Sequence, residues 1–174
     1  MSSRFPSLLP AFEMHDTPAN AVPTFPPQLA DLQSMLEREI PMCTLMGICV
    51  HHGGPDGLVM RLPLDRNRNH QKTAFAGSLN ALCTIAGWGS VYLLLKELNR
   101  CGSIVIRRSS IRYQEPVSTS QILARCLPVS AEARQYFLEM LDDKGQAKLE
   151  LSVEIPGVEG PAVSFSGSYV VLPQ

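Results

Sequence analysis

The stretch that decides the fold of this chain is residues 65–98, DRNRNHQKTAFAGSLNALCTIAGWGSVYLLLKEL. It begins with polar and charged side chains and then runs from Thr73 to Leu95 without a charged one. A helix that is apolar on nearly all faces has to be covered by other elements. The N–H groups of its first turn lack intrahelical partners and carry partial positive charge. We therefore predict a buried central helix whose polar N-terminal approach is the place for chemistry.

Length and composition predict one globular domain around one core. The chain has 174 residues, of which 45% are apolar, and this is enough for a single core of ordinary size. Its formal net charge is -1, so it has no electrostatic footprint for nucleic acid or for an anionic membrane surface. We expect neither a nucleic-acid partner nor a membrane partner.

The cysteines indicate a reducing compartment. The five cysteines are scattered singly, with no CxxC pair and an odd total. Such a pattern fits free thiols better than a disulfide framework. The first residues carry only Arg4 before a two-leucine patch that Pro10 interrupts, so they do not form the apolar core of a signal peptide. We predict a cytoplasmic protein.

The N-terminal 28 residues read as an arm. They contain six prolines and no sustained apolar period. From Leu29 to Ile40, leucines and isoleucine recur at helical intervals, and Pro41 stops the run. The predicted organisation is an arm at 1–28 and a domain at 29–174 that opens with a short amphipathic helix.

The rest of the domain reads as strand pairs around helices. Leu58 to Leu64 alternates after a glycine-rich turn, and Ala147 to Ile155 alternates over its whole length, which is typical of a sheet with one buried face. A one-faced antiparallel sheet beside a helix that is apolar all round predicts an α+β domain whose sheet curls around that helix. The remaining predicted elements are strands at 44–51, 104–113, 121–129 and 163–171 and a helix at 133–141.

Three segments resemble one known family: MGICV at 46–50, NRNHQKTAFAGSLNALCTIAGWG at 67–89 and IVIRRSSIRYQEPV at 104–117. They resemble the hotdog-fold putative thioesterases of the YiiD C-terminal type, over about residues 29–172. The resemblance implies a single hotdog domain, a curved antiparallel sheet around a long central helix. It further implies a homodimer or a dimer of dimers, with sites for acyl-CoA or acyl-carrier protein at the subunit interface. In some relatives an acetyltransferase domain precedes this one; 28 residues are too short for it, so we do not expect acetyl transfer.

A thioesterase site needs a donor for the carbonyl oxygen. A backbone N–H at a helix start is aimed at the charge that develops when water adds to a thioester. We predict that the amide of Gly77 or Ser78 is this donor, since glycine lets the thioester come close to the backbone. Phe75, Leu79 and Leu82 are candidates for the lining of an acyl tunnel.

The general base is harder to assign. Many hotdog thioesterases place an acid two turns into the central helix, where this chain has Ile85. We therefore assign the water-positioning or base role to Asn69 and His70, with Thr84 and Asp65 as weaker candidates. A carboxylate from the neighbouring subunit stays open. Asn67 and Thr73 could bind substrate, although both are also ordinary loop and capping residues.

The remaining site expectations concern phosphate and metal. Arg107, Arg108 and Arg112 could hold the phosphates of coenzyme A, because guanidinium groups match phosphate geometry, or they could form a solvated strand edge. The pair His51-His52 does not suggest a metal site, since neighbouring strand residues point to opposite faces. We expect no metal and no cofactor, with coenzyme A entering only as part of the substrate.

The long uncharged run and the missing acid leave alternatives. The run is long enough to cross a bilayer, but its polar residues and the amphipathic strands around it favour a core helix. Three functions remain open: an acyl-thioester hydrolase, a non-catalytic acyl-binding or scaffolding hotdog module, and a hotdog dehydratase or isomerase. The missing helix acid favours the second and disfavours the third.

Overall fold

The computed structural model describes residues 26–173, so the predicted arm lies outside the described residues up to position 25. Helices and strands alternate in the order α1 (Pro27–Glu39), α2 (Pro41–Met46), β1 (Cys49–Gly54), β2 (Gly57–Pro63), α3 (Ala76–Glu97), β3 (Ser103–Tyr113), β4 (Gln121–Cys126), α4 (Ala131–Lys144), β5 (Ala147–Pro156) and β6 (Pro161–Leu172).

The predicted strand at 44–51 is wrong in its first half. Pro41 ends α1 and also occupies the first position of α2, where its fixed φ favours a helix and its missing N–H costs nothing. Gly47, with φ 75°, ends α2 in the left-handed conformation. The strand β1 therefore starts only at Cys49.

Two later boundaries also differ from the prediction. The strand β4 ends at Cys126, and beyond it Leu127 still donates to Ser152 O at 2.9 Å, whereas Pro128 has no N–H to continue the ladder. The helix α4 is longer than predicted at both ends. Ser130 caps it by accepting from the N–H of Ala133, and Gly145, with φ 64°, ends it.

The six strands form one antiparallel sheet in the order β1-β2-β4-β5-β6-β3. In β5 the odd-numbered residues from Ala147 to Ile155 are all buried, and the even-numbered residues between them face outward. The sheet contacts α3 through five of its strands. The predicted α+β architecture, a curved sheet on a long central helix with a short N-terminal helix, is confirmed.

Close backbone packing holds α3 against β6. A Cβ on Gly87 would collide with the Tyr169 ring, so only glycine allows the helix to approach this closely. The Tyr169 hydroxyl, which is fully buried, donates to Thr84 O at 2.8 Å. This contact fixes both the depth and the rotation of α3 in the sheet.

On its other side α3 is held by α1. The Tyr92 hydroxyl donates to Asp31 Oδ2 at 2.7 Å, and Lys96 Nζ lies 3.0 Å from the same oxygen. These hydrogen bonds from Tyr92, then from Lys96, hold the pKa of Asp31 below its usual value. The neighbouring Leu32 is fully buried, and its side chain lies against Gly89 of α3.

The face of α3 that points away from the sheet is only partly covered. Its residues are half-buried and recur at helical spacing: Ala81, Thr84, Ile85, Trp88 and Tyr92. The helix is long and apolar enough to span a membrane by composition, yet 56% of the relevant window is buried inside this domain. A core helix passes the same test of length and hydropathy.

Candidate functional site

The loop between β2 and α3 is anchored by Asn67. This side chain is 4% exposed, and its amide group donates to Met46 O and to Pro63 O, both at 2.8 Å. The backbone carbonyl of Asn67 accepts from the N–H of Phe75 at 2.7 Å. Asn67 therefore fixes where α3 begins, and its bonds are those of a structural residue.

Asn69 organises the turn that follows. Its carboxamide oxygen accepts from the N–H groups of Gln71 and Thr73 at 2.9 and 3.2 Å, and its NH₂ donates to Thr73 Oγ1 at 3.0 Å. Its backbone carbonyl accepts from the N–H of Lys72 at 3.1 Å. Both ends of the Asn69 side chain are thus engaged within the turn, and so is the hydroxyl of Thr73.

His70 lies at the exposed tip of this turn, between Asn69 and Gln71. Its ring makes no hydrogen bond to any protein group in residues 26–173. Asp65, the weaker candidate, is also exposed, at the start of the same loop. Because the His70 imidazole has no protein partner among these residues, it is free to face a ligand or water.

The start of α3 has unoccupied backbone donors. Its N-cap residue, Phe75, supplies no side-chain hydrogen bond, and the N–H groups of Ser78 and Leu79 both donate to Phe75 O, at 3.0 and 3.1 Å. Within residues 26–173 no protein acceptor takes the N–H of Ala76 or of Gly77. Of the two predicted donors, the geometry leaves Gly77 available and engages Ser78.

An aromatic ring lies against the Cα of Gly77. A Cβ on Gly77 would collide with the ring of Phe75, which is 55% exposed. On the next strand the Tyr113 hydroxyl donates to Ala76 O at 3.1 Å and ties β3 to the first turn of α3. The start of α3 at Ala76 and Gly77, which we call the mouth of the helix, is therefore backbone bordered by two aromatic side chains.

The other predicted site residues on α3 lie deeper. Leu79 and Leu82 are 3% and 0% exposed and belong to the core between helix and sheet. Thr84 is half-buried, and its carbonyl accepts from Tyr169. An acyl chain would reach the two leucines only by entering that core.

The position expected to carry an acid is apolar. Ile85 is half-buried on the partly covered face of α3. The first carboxylate along the helix is Glu97, at the far end, where Arg134 holds both of its oxygens at 2.9 Å and lowers its pKa. α3 itself therefore brings no carboxylate to the mouth.

The three arginines of β3 lie away from the mouth. Arg108 and Arg112 pair with Ser168 and Ser164 on the outer face of the sheet, opposite to α3, and Arg108 lies 3.9 Å from Glu150 on that face. Arg107 occupies a β-bulge and is exposed. The structure does not bring these arginines together with Gly77 within one subunit.

Two residues near the mouth were missed by the sequence reading. Tyr113 was counted only as a strand residue, although its hydroxyl contacts the helix start. Asn80 lies one turn below Gly77, and its Oδ1 is buried without a hydrogen-bond donor. The only available signal was that Asn80 interrupts an uncharged apolar run, and this does not reveal an unpaired oxygen.

Metal and thiol chemistry find little support in the described residues. No group of three His, Cys, Asp or Glu side chains in residues 26–173 could hold a metal ion, and His51 and His52 are exposed around a β-bulge. Burial raises the pKa of Cys43 and Cys126 to about 11 and that of Cys83 to about 12. These three thiols stay protonated at neutral pH and serve as core residues.

Comparisons with known proteins give a consistent result. The family described as "Putative thioesterase (yiiD_Cterm)" matches residues 29–173. A protein of unknown function from Chlorobaculum tepidum is 29% identical, with a TM-score of 0.79 over 83% of this chain and 94% of that one. A crystal structure described as a putative thioesterase, from Shewanella oneidensis, is also 29% identical, with a TM-score of 0.72 over 84% and 98% of the two chains. A thioesterase from Haemophilus influenzae shares the fold at 17% identity, with a TM-score of 0.63 over 87% and 93%. The shared architecture confirms the predicted hotdog fold.

Proposed function

The chain belongs to the putative thioesterase family of the YiiD C-terminal type, and from this premise we propose that it hydrolyses acyl thioesters carried by coenzyme A or by an acyl-carrier protein. Family and structural neighbours indicate a thioester hydrolase in general terms. The observation that carries the proposal is the pair of unoccupied N–H groups of Ala76 and Gly77 at the uncapped start of α3.

The proposed reaction follows from the direction of these donors. The thioester carbonyl oxygen accepts a hydrogen bond from the Gly77 N–H, and the helix dipole adds partial positive charge at the same place. Water then adds to the carbonyl carbon, the C–S bond breaks, and the released thiolate takes up a proton to leave a carboxylic acid and a thiol. One such donor commonly lowers the barrier by roughly 3 to 4 kcal/mol.

His70 is the proposed general base, and Asn69 positions it. The His70 ring is exposed and makes no protein hydrogen bond within the described residues, so it can take a proton from water. The Asn69 carboxamide is engaged by its own turn and therefore acts through the shape of the turn instead of touching the water. A positioned base of this kind typically contributes about 100- to 10,000-fold.

A second copy of the chain is part of the proposal. β3 is an edge strand with partly exposed apolar side chains at Val105 and Ile106, and it borders the half-buried face of α3 that includes Trp88. Unpaired strand edges and apolar helix faces are surfaces that pairing would cover. A homodimer formed here would place its sites beside a second α3 and could supply the acid that Ile85 does not.

The missing acid supports a second candidate function. Because α3 has no carboxylate between Ala76 and Lys96, the same mouth could hold an acyl thioester without hydrolysing it. Such a non-catalytic module would use the Gly77 donor for binding alone. It would bind thioesters at equilibrium and release them unchanged.

The test is a panel of acyl-CoA and acyl-carrier-protein thioesters, from short to long acyl chains, assayed for thiol release. We expect turnover by the wild type on at least one member and a loss of at least about 100-fold in His70→Ala. His52→Ala removes another exposed histidine, on β1, and should retain full turnover.

The other outcomes decide between the candidates. Absence of turnover on every member, together with an intact acyl thioester bound in native mass spectrometry, would reject hydrolysis and favour the binding module. Hydration of an enoyl thioester without thiol release would instead indicate a dehydratase. Equal turnover in His70→Ala and wild type would remove His70 from the mechanism while leaving the hydrolase in place.

A further inference from the structure

An open cavity of about 480 Å³ lies beside the loop that leads into α3. Its wall is formed by the end of β2, the start of β4 and the loop between β2 and α3. The polar and charged side chains of the wall are Asp65, Arg66, Arg68, Lys72, Ser120 and Gln121. None of the roles assigned above accounts for the three cations among them.

These cations are not neutralised by the domain itself. Among residues 26–173 no ion pair engages Arg66, Arg68 or Lys72, and Asp65 is the one carboxylate of the wall. The cavity therefore has three positive groups against one negative group. Guanidinium forks flanked by an ammonium group and by hydroxyl and amide donors are the chemistry that binds a phosphate.

The backbone is set to present Lys72 at this wall. Its backbone φ is 65°, a conformation that residues other than glycine and asparagine rarely adopt. The Asn69 turn holds it there, because the Asn69 carbonyl accepts from the Lys72 N–H and the Asn69 carboxamide fixes the residues on either side. The role of Asn69 thus extends from the turn to the wall of the cavity.

The cavity lies about one pantetheine length from the proposed oxyanion donor. Arg68 pairs with Ala74 in an isolated antiparallel bridge, which puts their Cα atoms about 5 Å apart. Gly77 follows Ala74 by three residues, at most about 10 Å of extended chain. A pantetheine arm, with its two amide links, is about as long as four extended residues, roughly 14 Å.

We propose that this cavity binds the 4′-phosphate of the phosphopantetheine thioester, with Arg66, Arg68 and Lys72 as the phosphate-binding side chains. The inference rests on the proposed function, because it places the sulfur end of the arm at Gly77. Coenzyme A and acyl-carrier protein share this phosphate, so the cavity recognises the group common to both. The arginines of β3 lie on the outer face of the sheet and are not required.

The experiment compares two substrates that differ only in the phosphate: an acyl-phosphopantetheine thioester and the matching acyl-pantetheine thioester. We expect the wild type to prefer the phosphorylated substrate at least tenfold in kcat/KM. Arg68→Gln should bring this ratio close to one, mainly by raising KM for the phosphorylated substrate. Added salt should weaken the preference in the wild type.

Arg125→Gln is the matched control. Arg125 is exposed on β4, four residues and about 13 Å along the strand from Gln121, and it does not line the cavity. This variant should keep the full preference for the phosphorylated substrate. Loss of the preference in Arg108→Gln but not in Arg68→Gln would assign the phosphate to β3 and overturn the proposal.

A binding measurement separates this proposal from the hydrolase. Calorimetry with free 4′-phosphopantetheine and free pantetheine should show binding that depends on the phosphate and that Arg68→Gln abolishes, whether or not any thioester is hydrolysed. Hydrolysis with equal kcat/KM for the two substrates would reject phosphate binding at the cavity but would leave the proposed thioesterase activity standing. With acyl-CoA and with acyl-carrier-protein thioesters as substrates, Arg68→Gln should have a lower kcat/KM than the wild type. An unchanged kcat/KM for both substrates would contradict the inference.

Discussion

At the scale of single residues, a substitution at Gly77 should affect turnover much more than folding stability. It lies in the first turn of α3, where alanine is the better helix former by up to about 1 kcal/mol. The methyl group of Gly77→Ala would meet the Phe75 ring, but that ring is more than half exposed and can move into solvent. The cost in folding is therefore small, while the methyl group occupies the approach to the backbone N–H.

We accordingly expect Gly77→Ala to remain within about 1 kcal/mol of the wild type in urea unfolding and to lose at least about tenfold in kcat/KM. Gly145→Ala is the opposite control. Gly145 has φ 64° at the end of α4, and nothing lies near its missing Cβ, so alanine there should cost about 1 kcal/mol of stability with no change in turnover. Wild-type kcat/KM in Gly77→Ala would argue against a bare backbone as the thioester contact.

At the scale of elements, the contact between α1 and α3 has a defined pH dependence. The hydrogen bonds from Tyr92 and Lys96 lower the pKa of Asp31 in the folded state, so the folded protein binds fewer protons at this carboxyl than the unfolded chain does. The resulting stability is present above the unfolded pKa, near 4, and is lost as the pH falls through the lower folded value.

Asp31→Asn should therefore lower the free energy of unfolding at pH 7 by less than about 1 kcal/mol, because the pair is half exposed and screened by solvent. The difference from wild type should shrink as the pH falls below about 4. Denaturant titrations at a series of pH values measure it. Tyr92→Phe removes the hydrogen bond that lowers the pKa of Asp31 most, and its effect on stability should depend on pH in the same way. A difference in the free energy of unfolding that is constant with pH would show that packing, not charge, links α1 to α3.

At the scale of the whole molecule, the proposal depends on pairing through β3 and α3. Ile106→Asp puts a charge on the exposed apolar edge of β3, where it is 37% exposed in one subunit. We expect this variant to shift the protein from dimer to monomer in sedimentation velocity at micromolar concentration. Thioester turnover should fall at least tenfold, with the far-UV circular dichroism spectrum retained.

Val158→Asp provides the comparison for this experiment. Val158 is 92% exposed in the turn between β5 and β6, so a charge there should alter neither assembly nor turnover. A wild type that sediments as a monomer at all concentrations would contradict the proposed pairing. A monomeric Ile106→Asp with full turnover would confine the site to one subunit.

Much of the architecture could be predicted because its signals are local. The uncharged run from Thr73 to Leu95 has to be buried on most of its faces, and it forms the central helix. The alternation from Ala147 to Ile155 returns as a strand with one buried face. The limit lies at Pro41, because the same fixed φ that ends one helix can begin another, and local sequence did not distinguish them.

In the sequence by itself, periodicity predicted a one-faced sheet curled around an apolar helix, and the resemblance of three segments to a known family implied the hotdog fold and pointed to the loop that leads into α3, because these signals lie in neighbouring residues. Only the tertiary structure decided which amide is free: within residues 26–173 the N–H of Gly77 meets no protein acceptor, whereas those of Ser78 and Leu79 donate to Phe75 O. Only the tertiary structure joined Arg68 to Gln121, fifty-three positions further along the chain, in one cavity wall. Free donors and cavities are made by residues that fold together from distant positions, and no local pattern records that contact.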